Sequence, residues 1–461
     1  MNRLTTPWGL SDLARFPPDP RDTLRAWDAA DEYLLSRLAG DEETPAVDLS
    51  GVVVVLGDRW GALTTALATA GSRAGTAATG AAEAAVAIAG DAATTVAGHA
   101  GARSASAPGP VAAAPPAPVA PRPVQITDSY LGRQATRANL ARNGVDPDSL
   151  DLLSTQDAPP ERVDVLLIRV PKSLALLEDQ LHRLAPGIHE GTVVIGTGMV
   201  KEIHTSTLRL FERIVGPTRT SLAVKKARLI FCTPGSPPDR GGDPWPLTYT
   251  LDADAGAGAG LTVTNHAGIF CAERLDIGTR FFLQHLPQRA DVTRILDLGC
   301  GNGVVGTAAA LTHPGAHVCF VDESFQAVAS ARATYRANLP GEGPDLTEGS
   351  SELSSVAGRD RTGSRPGGTA EFAVGDAAAG LPAESFDLVL NNPPFHSHQA
   401  TTDATARRMF AGARDVLRPG GELWVVGNRH LGYHVRLRRI FGNCDVVAGD
   451  PKFVVLRAVK R

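Results

Sequence analysis

The chain has 461 residues, 43% of them hydrophobic and only 5% aromatic, so its length and apolar content suit a globular protein of several domains. Its 45 Lys and Arg against 49 Asp and Glu leave a formal net charge of -4, which excludes a globally basic nucleic-acid binder; any such surface has to be local. The five cysteines, Cys232, Cys271, Cys300, Cys319 and Cys444, have no C-x-x-C spacing, which argues against a zinc site or disulfide framework and for a reducing cytoplasm.

The opening MNRLTTPWGLSDLARFPPDP lacks the basic end and apolar core of a secretory signal. No apolar run is long enough to span a bilayer, so no membrane partner is expected. DTLRAWDAADEYLLSRL (Asp22 to Leu38) carries apolar residues at helical spacing, and VVVVL (Val52 to Leu56) reads as a buried strand. From about 70 to 123 the sequence turns to small-residue low complexity ending in PGPVAAAPPAPVAPRP, a spacer-like insertion. Order returns with ITDSYLGRQATRANLARNG, a strand end and a helix closed by Gly144. VDVLLIRVP, SLALLEDQLHRLAPG, GTVVIGTGM and EIHTSTLRLFERIVG then continue a β-α-β-α series that predicts an open parallel sheet.

PGSPPDRGGDPWP and DADAGAGAG punctuate the chain and set the expected domain boundary, giving domains 1–245 and 246–461. A second α/β series follows: TRILDLGCGNGVVGTAAALT, then HVCFVDESFQAVASARATYRANL, then a polar loop at about 340–369. After it come AEFAVGDAA, SFDLVLNNPPF, a helix from about Thr401 to Leu417, GGELWVVGNRHLGYHVRLRRIFG, and a last strand in PKFVVLRAVKR.

ILDLGCGNG places glycines at Gly299, Gly301 and Gly303 after a strand and an acid, Asp297. Such glycines permit a tight turn and let a ligand approach the backbone; a plain strand-to-helix turn is the bland alternative. A dinucleotide needs an anion at the helix start, and a carboxylate at Asp297 repels a pyrophosphate. S-adenosylmethionine carries a sulfonium cation and no phosphate, so an acid beside the turn suits it. Asp322 ends the next strand about twenty residues past the glycines, the position expected to accept from ribose hydroxyls. Asp376 ends the third and can accept from the adenine amine, with Ala377 offering its N–H. Either acid alone reads as a cap or turn residue; three acids ending three successive strands form a stronger pattern.

NNPPF follows the fourth strand. An amino group on a planar ring is a poor nucleophile because its lone pair is delocalised, and to accept a methyl the nitrogen must pyramidalise. An asparagine carbonyl and a backbone carbonyl in a proline-rigid turn can hold both amino protons off-plane and aim the lone pair. Asn392 supplies the amide, Pro393 and Pro394 the rigidity, and Phe395 an aromatic face for the base. The alternative is that Asn392 caps a strand end and Phe395 is core. His396, His398, His430 and His434 lack acids or cysteines at ligand spacing, so no metal is expected.

Together DLGCGNG, VDES, NPPFH and NRHLGYHVRLRRIFG resemble the ribosomal RNA guanine-N2-methyltransferases, and among them the enzymes of the large subunit. GIFCAERLDIGTRFFLQHLP, RAWDAADEYLL, IRVPKSLALLE, EIHTSTLRLFE and AVKKARLIF carry the likeness over nearly the whole chain outside the two low-complexity stretches. The resemblance implies two tandem class I (Rossmann-like) methyltransferase folds, the first lacking a functional donor site and used to engage RNA or to stabilise the second. VVVVLGDRWG supports this independently, because it lacks the acid and the clustered glycines, and RVPKS puts Lys172 in place of a clamp. Lys172, Lys225 and Lys226 suit RNA phosphate or an ordinary solvated face equally, as do Arg429, Arg436 and Arg439 near the C-terminal helix.

By the same resemblance Asn392, Pro393, Pro394 and Phe395 are catalytic or base-positioning. Asp297, Gly299, Cys300, Gly301, Asp322, Glu323, Asp376, Ala377 and Asn392 bind the donor, S-adenosylmethionine. Phe270 and Asp276 to Gly278 are expected over the donor pocket, while Glu273 and Arg274 depart from the family pattern there. The implied reaction is methylation of the N2 amine of one guanosine in 23S ribosomal RNA by a cytoplasmic monomer. The same chemistry on 16S RNA, methylation of a glutamine amide in a release factor, and a non-catalytic RNA-binding factor that retains the donor pocket are the rivals.

Overall fold

The computed structural model of the chain describes residues 2–19, 22–70, 121–235, 241–339, 351–352, 369–394 and 399–461. Most of the two low-complexity stretches, together with Phe395, His396 and His398, lies outside them.

The chain begins with a hairpin of β1 (Arg3–Thr6) and β2 (Gly9–Asp12) that the sequence pattern does not announce. The first helix is shorter than its periodicity predicts: α1 spans Ala29–Ala39. Its start is fixed at Asp28, whose side chain accepts from Ala30 N–H while Asp31 accepts from Asp28 N–H, a reciprocal capping box. Leu24, counted on the helix face, precedes it and is 61% exposed.

The first sheet uses β3 (Val53–Leu56), β4 (Val124–Thr127), β5 (Leu152–Ser154), β6 (Val163–Arg169), β7 (Ile188–Met199), β8 (Thr218–Thr220) and β9 (Ala227–Cys232) in the order β5-β4-β3-β6-β7-β9-β8. Helical residues 62–70 (α2), α3 (Tyr130–Arg142), α4 (Leu174–Leu184) and α5 (Thr205–Ile214) cover its faces with α1. Central strands such as VVVL are apolar at every position because both faces are buried. The expectation of a parallel sheet needs correction: β9 runs antiparallel to both its neighbours. The hairpin from β8 returns the chain into the sheet beside β7, which a short connection allows only in the antiparallel sense.

A hairpin of β10 (Leu247–Thr250) and β11 (Thr262–Asn265) opens the second half and docks on α8 (Phe325–Asn338). There Thr262, Thr264 and His266 N–H groups donate to Asn338, Thr334 and Ser330. The second sheet comprises β12 (Arg294–Leu298), β13 (His317–Asp322), β14 (Ser351–Glu352), β15 (Ala370–Val374), β16 (Phe386–Asn391), β17 (Leu417–Asn428), β18 (Asp445–Gly449) and β19 (Phe453–Val459). Its order, β14-β15-β13-β12-β16-β17-β19-β18, repeats the first sheet with one added edge strand, and again the strand inserted last, β19, is antiparallel. α6 (Ile277–Leu283), α7 (Val304–Thr312), α8, α9 (Gln399–Val416) and α10 (Tyr433–Phe441) flank it.

The two halves meet about an approximate two-fold relation. Ser129 and Ser324, each the N-cap residue of the helix after the second strand of its sheet, form an antiparallel bridge. Ser129 Oγ donates to Glu323 Oε2 at 2.7 Å, and Ser324 Oγ donates to Asp128 Oδ2 at 2.6 Å. Tyr130 N–H donates to the Glu323 carbonyl, and Phe325 N–H donates to that of Asp128. Gln326 extends the joint to Gln156 and Asp179.

Candidate active site

The carboxyl ends of β12, β13, β15 and β16 converge where open α/β sheets bind ligands. After β12 the chain turns through Gly299, Gly301 and Gly303, all with positive φ. A side chain at Gly301 would meet no atom within 4 Å, so this stretch of backbone faces open space. Gly306, one turn into α7, is where the helix lies tightest on the sheet: a Cβ there would sit 2.4 Å from the Phe320 ring and 2.7 Å from Asp297 Oδ2.

Asp322 is held by the same turn. Its Oδ2 accepts from Gly301 N–H at 2.9 Å and its Oδ1 from Ser324 N–H at 3.1 Å. Asp297 is buried beneath the turn and accepts from Gly306 N–H at 2.8 Å. Burial pushes its carboxyl up to about 8, and the Asp322 charge adds to the shift, which favours the protonated form near neutral pH. The argument from a fixed negative charge at Asp297 is therefore amended, because burial withholds the charge until a nearby cation offsets the cost of ionisation.

Gly299 and Cys300 direct their N–H groups to the Val321 carbonyl. The Cys300 thiol is buried and pushed far up in pKa, which makes it a packing group. Glu323 gives an oxygen to Ser129 in the joint between the halves. Asp376 forms an ion pair with Arg408 of α9 at 3.2 Å, and Ala377 adopts a left-handed φ of 51°. Arg408 was not foreseen, since nothing in the spacing of α9 marks it.

β16 ends at Asn391, whose Nδ2 donates to the Leu298 carbonyl at 2.6 Å and ties β16 to the glycine turn. The next residue, Asn392, is half-buried. Its Nδ2 donates to Thr279 Oγ1 at 2.9 Å, while its Oδ1 is buried with no hydrogen-bond partner among the described residues. A buried amide oxygen left unpaired is costly unless a ligand supplies the donor. Pro393 is buried and Pro394 exposed behind it.

Asp276 caps α6, accepting from Thr279 N–H at 3.0 Å, and Gly278 lies against the Phe453 ring with no room for a Cβ. The segment expected over the donor pocket thus reaches the Asn392 turn through Thr279, one position beyond the DIG stretch singled out in the sequence. The D-x-x-T spacing of a helix N-terminus was the available signal. The preceding loop leans on the first half, with Gly268 against Leu176 of α4, and Phe270 is 57% exposed.

In the first half the matching positions are filled differently. Leu56 pairs with Ile168 as Leu298 pairs with Asn391, and Gly57 and Gly61 keep the positive φ of Gly299 and Gly303. Arg59 then stands at the place of Gly301, Val55 at that of Asp297, and Arg169 at that of Asn392. Lys172, expected in place of the clamp, instead matches Phe395. Arg169 is 1% exposed and meets Asp28 at 2.6 Å, Glu202 at 3.0 Å and Asp31 at 3.4 Å, while Arg59 also binds Glu202 at 2.9 Å.

The basic candidates are spread out. Lys172 is exposed; Lys225 and Lys226 form the tip of the turn before β9, where Lys225 lies 3.1 Å from Glu32. Arg429 donates to the Asp450 carbonyl, and Arg436 lies over the Tyr433 ring. Among the described residues no helix is long and apolar enough to cross a membrane.

A doubly wound sheet of this order, with a glycine turn, strand-end acids and an N-P-P turn on one edge, defines a class I methyltransferase, here with the fold present twice. Residues 1–90 and 116–236 match the RLMG N-terminal domain, and 260–341 and 345–457 match the methyltransferase small domain. The chain is 60% identical over 458 residues to the ribosomal RNA large subunit methyltransferase G of Streptomyces avermitilis, covering 99% of each. It is 61% identical to that of Streptomyces coelicolor, with 99% of this chain and 100% of the relative covered, and 40% identical to that of Pseudomonas aeruginosa over the full length of both. A Thermus thermophilus 16S rRNA N2 methyltransferase solved with AdoMet and guanosine superposes with a TM-score of 0.57 at 21% identity, covering 74% of this chain and 82% of that one. The chain belongs to the ribosomal RNA large subunit methyltransferase G family.

Proposed function

We propose that this protein transfers a methyl group from S-adenosylmethionine to the exocyclic N2 amine of a guanosine in 23S ribosomal RNA. The observation that carries the reading is the buried Oδ1 of Asn392 at the end of β16, unpartnered among the described residues, beside a glycine turn that faces open space at Gly301. When bound, the donor supplies an electrophilic methyl carbon on a sulfonium. The residues present fit it: the backbone at Gly301 faces open space, and Asp322 presents a carboxylate pinned by two backbone N–H groups. Asp297 can yield its proton to balance a cation. Asp376 and Ala377 are assigned to the adenine edge, with Arg408 sharing the Asp376 carboxylate.

Asn392 Oδ1 accepts one proton of the amine, and the carbonyl of Pro393 is assigned the other. With both N–H bonds drawn out of the ring plane, the nitrogen lone pair leaves conjugation and faces the methyl carbon. Asn392 is too weak a base to keep a proton, so the one released on methylation passes to water. Pro394 stiffens the turn, and Phe395 is assigned to the base face.

The first half, up to about residue 245, is inferred to have no donor site, because Arg59 fills the place of the open glycine and Arg169 with its acids fills that of the clamp. Lys172, Lys225 and Lys226 are assigned to RNA phosphate. The protein is inferred to act as a cytoplasmic monomer.

The test is transfer from methyl-labelled donor to unmodified 23S and 16S RNA, followed by nucleoside mass spectrometry. N2-methylguanosine confined to 23S RNA is expected. Label in 16S RNA moves the reading to the other subunit, and no label at all favours a non-catalytic RNA-binding role.

A further inference from the structure

We propose that Thr279 is a positioning residue that locks the Asn392 amide with its oxygen toward the acceptor amine; this rests on the reading of Asn392 as the clamp. An asparagine amide is nearly symmetric in shape, and rotation by half a turn exchanges an acceptor oxygen for a donor NH2. Only the oxygen can receive an amine proton. In the other orientation NH2 would face NH2 and the clamp would fail. Nothing in the proline turn itself distinguishes the two.

Thr279 makes the distinction. Its Oγ1 lies 2.9 Å from Asn392 Nδ2, and the residue is 8% exposed, so water does not compete freely for the contact. A hydroxyl alone is ambivalent, since it can donate or accept. Asp276 removes the ambivalence. Its Oδ2 accepts from Thr279 N–H at 3.0 Å and from Thr279 Oγ1 at 3.4 Å, and an ionised carboxylate accepts only. The hydroxyl proton is directed to Asp276, which leaves the oxygen lone pairs for Asn392 N–H and turns Asn392 Oδ1 away from Thr279, where it has no partner among the described residues. The polarity therefore runs from a helix cap through one hydroxyl into the amide.

Thr279→Val keeps the shape and removes the hydroxyl, while Thr279→Ser keeps the hydroxyl and removes the methyl. With wild-type transfer to guanosine N2 established first, kcat is measured at saturating donor and RNA, beside donor Kd by calorimetry, KM for RNA and Tm. Thr279→Val is expected to lower kcat roughly 10- to 100-fold, the range for a misplaced catalytic group, with Kd and KM within about three-fold of wild type. Thr279→Ser is expected to restore kcat to within about three-fold. Unchanged kcat in Thr279→Val overturns the proposal, as does an equal loss in Thr279→Ser, which would assign the effect to the methyl group. If Thr279→Val lowers Tm sharply, Thr279→Ser decides alone: retained kcat supports the hydroxyl and its loss refutes it. Absence of transfer by the wild type sinks the parent reading instead.

Discussion

Asn392 and Asp297 carry opposite lessons about a single side chain. Asn392 has an acceptor that is buried and, among the described residues, unsatisfied, which fits the ligand-facing use proposed for it. Asn392→Ala is expected to lower transfer by at least about 10²-fold, as removal of an oriented polar group at a reacting centre does, while donor Kd by calorimetry stays within a few-fold. Full turnover at saturation would remove Asn392 from the clamp. Asp297 has a partner and is enclosed on every side, its carboxyl raised from 3.8 to about 8. The folded state keeps a proton that the unfolded chain loses near pH 4, so the stability from this group is complete below that and is lost as pH rises through about 8. Asp297→Asn, which cannot titrate, is expected to show a smaller fall in Tm than wild type between about pH 5 and 8.5 by scanning calorimetry. Equal falls would mean that the carboxyl is already ionised. The acid itself was visible in ILDLGCGNG; its protonation was not, because that depends on the helix and strand packed around it.

At the scale of elements, the turn between Val224 and Ala227 holds two charges in a strained backbone. Lys225 and Lys226 have φ of 48° and 65°, in a two-residue tip that favours Asn-Gly. Each left-handed residue costs about 1–2 kcal/mol, and the exposed Lys225–Glu32 ion pair offsets little of it. Lys225→Asn with Lys226→Gly is expected to raise stability by about 1–2 kcal/mol. The same pair should weaken binding to a 23S fragment and reduce the slope of log K against log salt by roughly 0.7–0.9 for each phosphate that is no longer neutralised. A stabilised variant with an unchanged slope would make the tip a solvated face. α1 and α6 differ in how far they could be read. Both begin at an aspartate cap, yet the apolar spacing before Asp28 drew the expected start of α1 too early, because periodicity continues where hydrogen bonding does not. Likewise PKFVVLRAVKR reads as a strand while β9 does not announce itself, and the antiparallel sense of both β9 and β19 rests on hairpin connections that no local pattern encodes.

Across the whole molecule, two copies of one sheet order are joined by reciprocal Ser–carboxylate hydrogen bonds. Asp322, assigned to the donor, immediately precedes Glu323 and Ser324, which hold the first half. The first half thus buttresses the donor edge of the second as well as offering basic residues. Replacing Ser129 and Ser324 together by alanine removes the two hydrogen bonds between the halves and the two helix-cap bonds from Gly132 and Ala327, of about 1 kcal/mol each. Calorimetry is expected to show the unfolding transition broadening or splitting, with the lower midpoint reduced by about 8–16 °C. An unshifted single transition would mean that the halves are held by other interactions. The repeated sheet order could not be seen as sequence similarity, since Arg59 and Arg169 occupy the places of Gly301 and Asn392 and few matched positions keep their residue, among them Leu56, Gly57, Gly61 and Pro171.

The sequence by itself determined that the second half carries a glycine turn, strand-end acids and a proline-stiffened asparagine, because each is a local signal written in neighbouring residues. The tertiary structure alone decided that Thr279 meets Asn392 across 113 positions of chain, that Arg408 meets Asp376, that Glu323 turns to Ser129, and that burial raises the Asp297 carboxyl. Spacing along a strand or helix fixes which way a residue points, whereas the partner it finds and the charge it bears depend on groups that only folding brings within a few ångströms.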